Sequence, residues 1–297
     1  MRVFVTGATG FVGSATVREL IGAGHEVVGL ARSDEAAASL TAAGARVRRG
    51  SLDDPGGLRD AAAGADGVAH LAYKHDFSDT AGAEAADLRA IEAIGSALEG
   101  SGKPFAVASV IMLAAPGRVA TEDVEPDANS TGAHRIPADR AAVALADRGV
   151  RSAAVRLPIV HGRGDRGFIP ALIGIAREKG VSAVVGDGAN RWPAVHGRDA
   201  ARLFRLALED APAGSRLHAV GDEGVPFREI AGVIGRHLDV PVTGISPDEA
   251  AAHFGWLAHF ASADGPASSA LTEKLLGWRP EQPALIPDLD EGHYFGG

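Results

Sequence analysis

The chain has 297 residues, of which 46% are hydrophobic, 23% charged and 5% aromatic. That profile fits a globular protein of one or two domains with a core built mainly from Ala, Val, Leu and Ile, and it excludes a disordered chain. A formal net charge of −9 argues against a nucleic-acid partner, and the absence of cysteine rules out disulfides, thiolate zinc sites and a cysteine nucleophile.

The first apolar run, Val3 to Val5, is cut off by Thr6 and Gly7, so no signal peptide is expected. The longest apolar stretch, residues 105–115, is too short for a bilayer and contains Ser109. A cytoplasmic protein with no membrane partner is the expectation. Short β-branched runs predict strands over residues 2–6, 26–31, 45–49, 67–72, 105–109 and 152–157. Ala/Leu-rich stretches between them predict helices over 12–23, 34–43, 57–63, 83–100 and 137–148. In the fourth helix Leu88, Ile91, Gly95 and Leu98 form an apolar stripe, and Glu84, Asp87, Arg89 and Glu92 fall outside it. Strand–helix alternation of this kind predicts an α/β fold, a doubly wound parallel sheet with helices on both faces.

After Gly164 the pattern loosens, and residues 165–188 and 222–290 are rich in Gly, Pro and His. Residues 194–208 and 216–221 read as a helix and a strand that return to the main sheet. Ser246-Pro-Asp-Glu249 is a helix start, with Ser as N-cap and Glu at the third position. The expected organisation is a main domain of residues 1–163, joined again by 190–221, and a smaller substrate-binding lobe of 164–189 and 222–297.

The sharpest motif is Thr6-Gly7-Ala8-Thr9-Gly10-Phe11-Val12-Gly13, which follows the first strand and opens the first helix. A dinucleotide needs a tight turn, a close backbone approach to its pyrophosphate and close helix–strand packing. Glycine meets all three needs, and the helix start adds free N–H groups and a positive dipole end. Gly7, Thr9, Gly10, Phe11, Val12 and Gly13 are therefore expected to cradle a dinucleotide in a Rossmann domain. At the end of the second strand an acidic residue commonly grips the ribose of NAD. Here Ala31 takes that place and Arg32-Ser33 follows. A guanidinium can hold a 2′-phosphate through paired hydrogen bonds, so NADP(H) is expected over NAD(H). The plain alternative is a solvated arginine, and Asp34 and Glu35 beside it count against the phosphate reading.

The G-x-x-G-x-x-G spacing after Thr6 resembles the extended and atypical short-chain dehydrogenase/reductases, the epimerase/dehydratase-like branch. His70-Leu-Ala72 resembles that family's fourth-strand end and Val107-Ala-Ser109 its fifth. Arg156-Leu-Pro-Ile-Val-His-Gly162 resembles its R-x-P/L-x-x-V-Y-G segment, and Trp192-Pro-Ala-Val-His196 with Asp199 its later pattern. The resemblance spans roughly the first two-thirds of the chain. It implies cofactor contacts from Leu71, Ala72, Tyr73, Ser109, Pro158 and Val160, and from Leu52 and Asp53 near the adenine. Ser51 departs from the Asp often found before that leucine. It also implies a homodimer through sheet-flanking helices.

The family's proton donor is a Tyr with a Lys four residues later and a Ser upstream. The chain has two tyrosines, Tyr73 and Tyr294, and neither lies in the window 20–30 residues after Ser109. Tyr-x-x-x-Lys is absent. Residues 129–140 fill that window, with His134 near the missing Tyr and Arg135 or Arg140 as a substitute cation. Histidine titrates near neutrality and can serve as the donor; the alternative is a plain loop residue. Past the fourth strand, Tyr73-Lys74-His75-Asp76 offers His75 with Asp76 as an acid–base pair, and Tyr73 and His75 as substrate contacts. Adjacent residues in an extended loop point apart, so that pair needs a turn. His161 and Trp192 are further substrate-contact candidates, with packing between lobes as the alternative for Trp192. His196, His253 and His259 carry less weight. No H-E-x-x-H or acidic cluster is apparent, and no metal is expected.

Three functions stay open for a small-molecule substrate. They are an NADP(H)-dependent oxidoreductase with a donor other than Tyr, a non-redox epimerase- or dehydratase-like enzyme, and a non-catalytic NADP(H) sensor. Loss of the Tyr/Lys pair favours the last, and an elaborated C-terminal lobe favours the first; a fold alone decides nothing here.

Overall fold

A computed structural model describes residues 1–74, 79–113 and 117–296. Its first half alternates β1 (Arg2–Thr6), α1 (Phe11–Gly22), β2 (Glu26–Ala31), α2 (Asp34–Ala42), β3 (Arg46–Arg49), α3 (Pro55–Ala63), β4 (Gly67–His70), α4 (Thr80–Leu98), β5 (Pro104–Val110), α5 (Ile136–Ala144) and β6 (Arg151–Leu157). The second half runs β7 (Ile159–His161), α6 (Phe168–Lys179), β8 (Ser182–Val185), β9 (Arg191–His196), α7 (Gly197–Asp210), β10 (Ser215–His218), β11 (Asp222–Pro226), α8 (Phe227–Leu238), β12 (Val242–Ile245), α9 (Pro247–Phe254), α10 (Ala258–Ala261), α11 (Ala270–Leu276) and α12 (Leu285–Asp290).

Seven strands form one sheet in the order β10-β6-β5-β4-β1-β2-β3, and every pairing within it is parallel. Val3, Phe4 and Val5 at its centre are buried on both faces, as expected when helices cover both sides of a parallel sheet. Ser33, Asp54 and Asp79 each accept a backbone N–H at the starts of α2, α3 and α4, satisfying donors that a helix start otherwise leaves unpaired. The capping box at Ser246 and Glu249 opens α9. A smaller sheet, β11-β9-β7, and the pair β12-β8 belong to the C-terminal part. There Trp192, Phe227, Ile230, Leu257 and Leu285 form a second core. Among the described residues no helix is long and apolar enough to cross a membrane.

The structure corrects three expectations. Residues 194–196 end β9, and α7 begins only at Gly197, where the side chain of His196 accepts the Arg198 N–H. The fifth helix stops at Ala144 and tightens into a 3₁₀ turn over Leu145–Arg148. Asp87 is buried rather than outside the stripe of α4, because it shares a helix face with Ile91, Ile94 and Leu98.

α7 packs along α1, with Arg205 bonded to Glu19 at 2.7 Å. Asp199 on α7 is buried and accepts the N–H groups of Glu281 (3.0 Å) and Gln282 (2.9 Å). Asp222 accepts that of Leu285 at 2.9 Å. Two carboxylates thus strap the C-terminal segment across the sheet edge and deliver α12 to the second core.

His218 on β10 is buried, with Nδ1 2.9 Å from the Ser268 carbonyl and Nε2 3.5 Å from the Arg156 guanidinium. The ring therefore donates from Nδ1 and accepts at Nε2. Burial, reinforced by the Arg156 charge, pushes its pKa down to about 3. Below pH of about 6.5 the unfolded chain takes up a proton that the folded chain refuses, so stability falls from there towards pH 3. On going from pH 7 to pH 5, urea unfolding should show a loss of stability smaller by about 2 kcal/mol in His218→Gln than in the parent. Equal losses would contradict a neutral buried ring.

Candidate active site

The carboxyl end of β1 runs into Gly7, whose φ is +65°. A Cβ there would stand 2.6 Å from the Leu71–Ala72 backbone, and one on Gly13 would stand 1.9 Å from the Gly7 carbonyl oxygen. Neither position admits a side chain. Gly10 donates to the Gly7 carbonyl at 2.9 Å and becomes the N-cap of α1. No side chain caps α1 and no acidic residue sits in its first turn. Its leading amides at Phe11, Val12 and Gly13, beside Thr9, thus retain their capacity to bind an anion.

The rest of the predicted cofactor set lies along the carboxyl ends of the neighbouring strands. Arg32 is exposed past β2, while the Ser33 hydroxyl is spent on capping α2 (3.2 Å to the Ala36 N–H). Asp34 is paired with Arg49. Past β3, Leu52 is buried, and exposed Asp53 bonds Lys74 at 2.5 Å, which holds its carboxyl below the ordinary range. Leu71, Ala72 and Tyr73 follow β4, and Pro158 and Val160 flank the β6–β7 join; all five are partly buried.

Two buried ionic clusters lie beneath this rim. In one, Thr6 Oγ1 accepts the Ala72 N–H (3.3 Å) and donates to His70 Nδ1 (2.7 Å). His70 then donates from Nε2 to Asp87 (3.2 Å), a tautomer the network dictates. Arg135 stands 3.2 Å from the other Asp87 oxygen, donates to the Ala108 carbonyl (3.1 Å) and lies 4.1 Å over the Tyr73 ring. Burial pushes the Tyr73 phenol up, and the Arg135 charge opposes that. In the second cluster Ser109 donates to Asp139 (2.7 Å), which also receives both arms of Arg156 (3.0 and 2.8 Å). The Ser109 hydrogen therefore points at Asp139, leaving only its oxygen as an acceptor.

His134 is half-buried on a cavity of about 220 Å³ between the starts of α4 and α5, lined also by Glu84, Asp87 and Arg135. Burial, then the Arg135 charge, lowers its pKa below the ordinary histidine value. Of the two substitute cations, Arg135 is buried in the cluster and Arg140 is exposed. His75 and Asp76 lie outside the described residues. A larger cavity of about 610 Å³ adjoins Thr9, Gly10 and Phe11, with His196, Arg163 and Arg198 among its lining.

Two expected substrate contacts take other places. His161 is fully buried, with Nδ1 2.8 Å from Asp288. Trp192 is 1% exposed, packed edge-on against Phe168 and Phe227 with its N–H on the Phe260 carbonyl. Among the described residues it belongs to the interior of the C-terminal core. His253 and His259 sit on α9 and α10 in that lobe. Sequence reasoning missed His70, Asp87 and Asp139. The available signal was a carboxylate four residues before Ile91, in register with the apolar face.

Residues 3–220 match the model of the NAD dependent epimerase/dehydratase family. The chain belongs to that family. It is 49% identical to an uncharacterized protein of Schizosaccharomyces pombe, over 99% of this chain and 100% of that one. It is 28% identical to the 2-alkyl-3-oxoalkanoate reductase of Stenotrophomonas maltophilia, over 77% of this chain and 73% of that one. Among solved structures, the dTDP-glucose 4,6-dehydratase of Streptomyces venezuelae with NAD bound superposes with a TM-score of 0.79 at 22% identity, over 99% of this chain and 96% of that one. The epimerase/dehydratase family consists of NAD(P)-binding proteins, and the seven-stranded sheet here is theirs.

The glycine cradle makes a direct prediction for this family member. Gly13→Ala should lower stability by about 1–3 kcal/mol through the clash with Gly7. Gly22→Ala, at the far end of α1 with nothing within 4 Å, should leave stability unchanged or raised. Thermal unfolding of the two variants checks this, and a Gly13→Ala protein as stable as the parent would contradict the contact.

Proposed function

We propose that the protein is an NADP(H)-dependent oxidoreductase acting on a small carbonyl- or alcohol-type substrate. The observation carrying this reading is the α1 start, which has neither side-chain cap nor, at Gly13, room for a Cβ, at the carboxyl end of the interior strand β1. A pyrophosphate fits there, because backbone N–H groups and the helix dipole supply what an anion needs. The nicotinamide, when bound, gives or accepts the hydride. Everything else falls to the chain's own residues. Phe11, Val12 and Gly13 would hold the pyrophosphate, and Arg32 the 2′-phosphate. Asp34, two residues after Arg32, is paired with Arg49.

Reduction of a carbonyl leaves an oxygen that must take one proton. His134 is the donor in this reading, since it lies on a cavity with Glu84, Asp87 and Arg135 where the family Tyr is missing. The stacking of Arg135 on Tyr73 favours a second reading, with the phenol as donor and the guanidinium in place of the absent Lys.

Arg32→Ala should weaken NADPH by roughly tenfold or more and NADH little, because a hydrogen bond to a charged group contributes about 1.5–3 kcal/mol. Fluorescence titration reads this, and equal losses would overturn the cofactor preference. His134→Ala should cut turnover of a carbonyl panel about 100-fold or more. With its pKa lowered, the reductive rate should fall with rising pH from an inflection below about 6.5, and the oxidative rate should rise through the same inflection. A larger loss in Tyr73→Phe than in His134→Ala would transfer the role to the phenol. Nucleotide binding without any turnover would support a sensor instead.

A further inference from the structure

The C-terminal strap builds a second polar centre on the cavity that Thr9, Gly10 and Phe11 of the phosphate cradle also border. Asp199 and Asp222 anchor the segment that leads into α12, and α12 carries Asp288. One oxygen of Asp288 is engaged by His161 Nδ1 at 2.8 Å and by the Tyr294 hydroxyl at 3.2 Å. The other lies 3.9 Å from His293 Nε2, and Glu291 lies 3.9 Å from His293 Nδ1. Nδ1 and Nε2 of His293 point apart, so one ion can take only one of them; with a single donor atom from each of Asp288, Glu291 and His293 the three still lie within 4.8 Å of one another.

His293 supplies an independent sign. Its side chain is only 6% exposed, yet neither ring nitrogen has a hydrogen-bond partner among the described residues. Buried polar groups are almost always satisfied, so such an imidazole calls for a ligand. We propose that Asp288, Glu291 and His293 bind one divalent transition-metal ion of the zinc type, with open coordination positions towards the 610 Å³ cavity these residues line.

Two carboxylates balance the ion's charge, and the imidazole selects a borderline metal over magnesium or calcium, which prefer oxygen throughout. His161 and Tyr294 act as the outer shell that orients the Asp288 carboxylate. Arg163, Arg166 and Arg198 line the same cavity but are exposed, so water and salt screen their repulsion of a cation. In the sequence the triad reads Asp288-x-x-Glu291-x-His293.

The test uses the untagged full-length chain, stripped with a chelator and titrated with Zn²⁺ alone. One equivalent should bind, and His293→Ala and Glu291→Gln should each weaken binding by roughly tenfold or more while circular dichroism stays unchanged. Glu291 is exposed, so its variant stays informative if His293→Ala folds poorly. Co²⁺ loading should give a visible d–d band that is lost in His293→Ala. Uptake below one equivalent, or uptake of equal strength in both variants, would overturn the site whatever the nucleotide experiments return.

Discussion

The Gly7 carbonyl and the Gly13 Cα share a space too narrow for any side-chain carbon. That contact fixes where α1 starts relative to β1, and much else follows from it. With Gly7 pressed against the Leu71–Ala72 backbone, the ends of β1 and β4 are held at one height. Thr6 then reaches Ala72 and His70, and the chain of hydrogen bonds continues to Asp87. A steric requirement at two glycines is converted into a fixed rim from the phosphate cradle to the starts of α4 and α5.

The sheet was legible because its central strands are buried on both faces and therefore appear as unbroken apolar runs. The start of α9 was legible because Ser246 and Glu249 do a local job that residue type predicts, whereas the Asp54 and Asp79 caps were passed over and α3 and α4 begin at Pro55 and Thr80, two and three residues before the expected positions 57 and 83. The errors have equally physical causes. At residues 194–208 an apolar stretch passes from strand to helix with only His196 and Gly197 as punctuation, and β9 gains its identity from β11 and β7, distant in sequence. Asp87 looked like a surface residue because it is charged, although its position on α4 faces inward; the imidazole that satisfies it is 17 residues away. The glycine cradle could be read from sequence since one short segment builds it. Ser109, Asp139 and Arg156 could not be grouped, because separations of 30 and 17 residues carry no local signal.

The clusters beneath the rim differ in kind from the apolar cores around them. Buried ion pairs often contribute little net stability compared with apolar residues of similar shape, but losing one partner costs about 3–5 kcal/mol. Their effect is therefore geometric. Asp139 ties the first turn of α5 to β6 and to the end of β5, and Asp87 ties α4 to β4. Both helices meet the crevice at their starts. A family scaffold without Tyr-x-x-x-Lys still presents a stiff, polar floor on which other side chains can be aligned.

The late arrival of β10 has a consequence for biosynthesis. It lies beside β6 at the edge of the main sheet, yet between the two the chain makes β7, α6, β8, β9 and α7. A nascent chain leaving the ribosome thus exposes the unpaired edge of β6 while the intervening segment is still being made. Such an edge can recruit a strand from a neighbouring chain. Vectorial synthesis leaves the half-built sheet open to mispairing until residues 215–218 emerge.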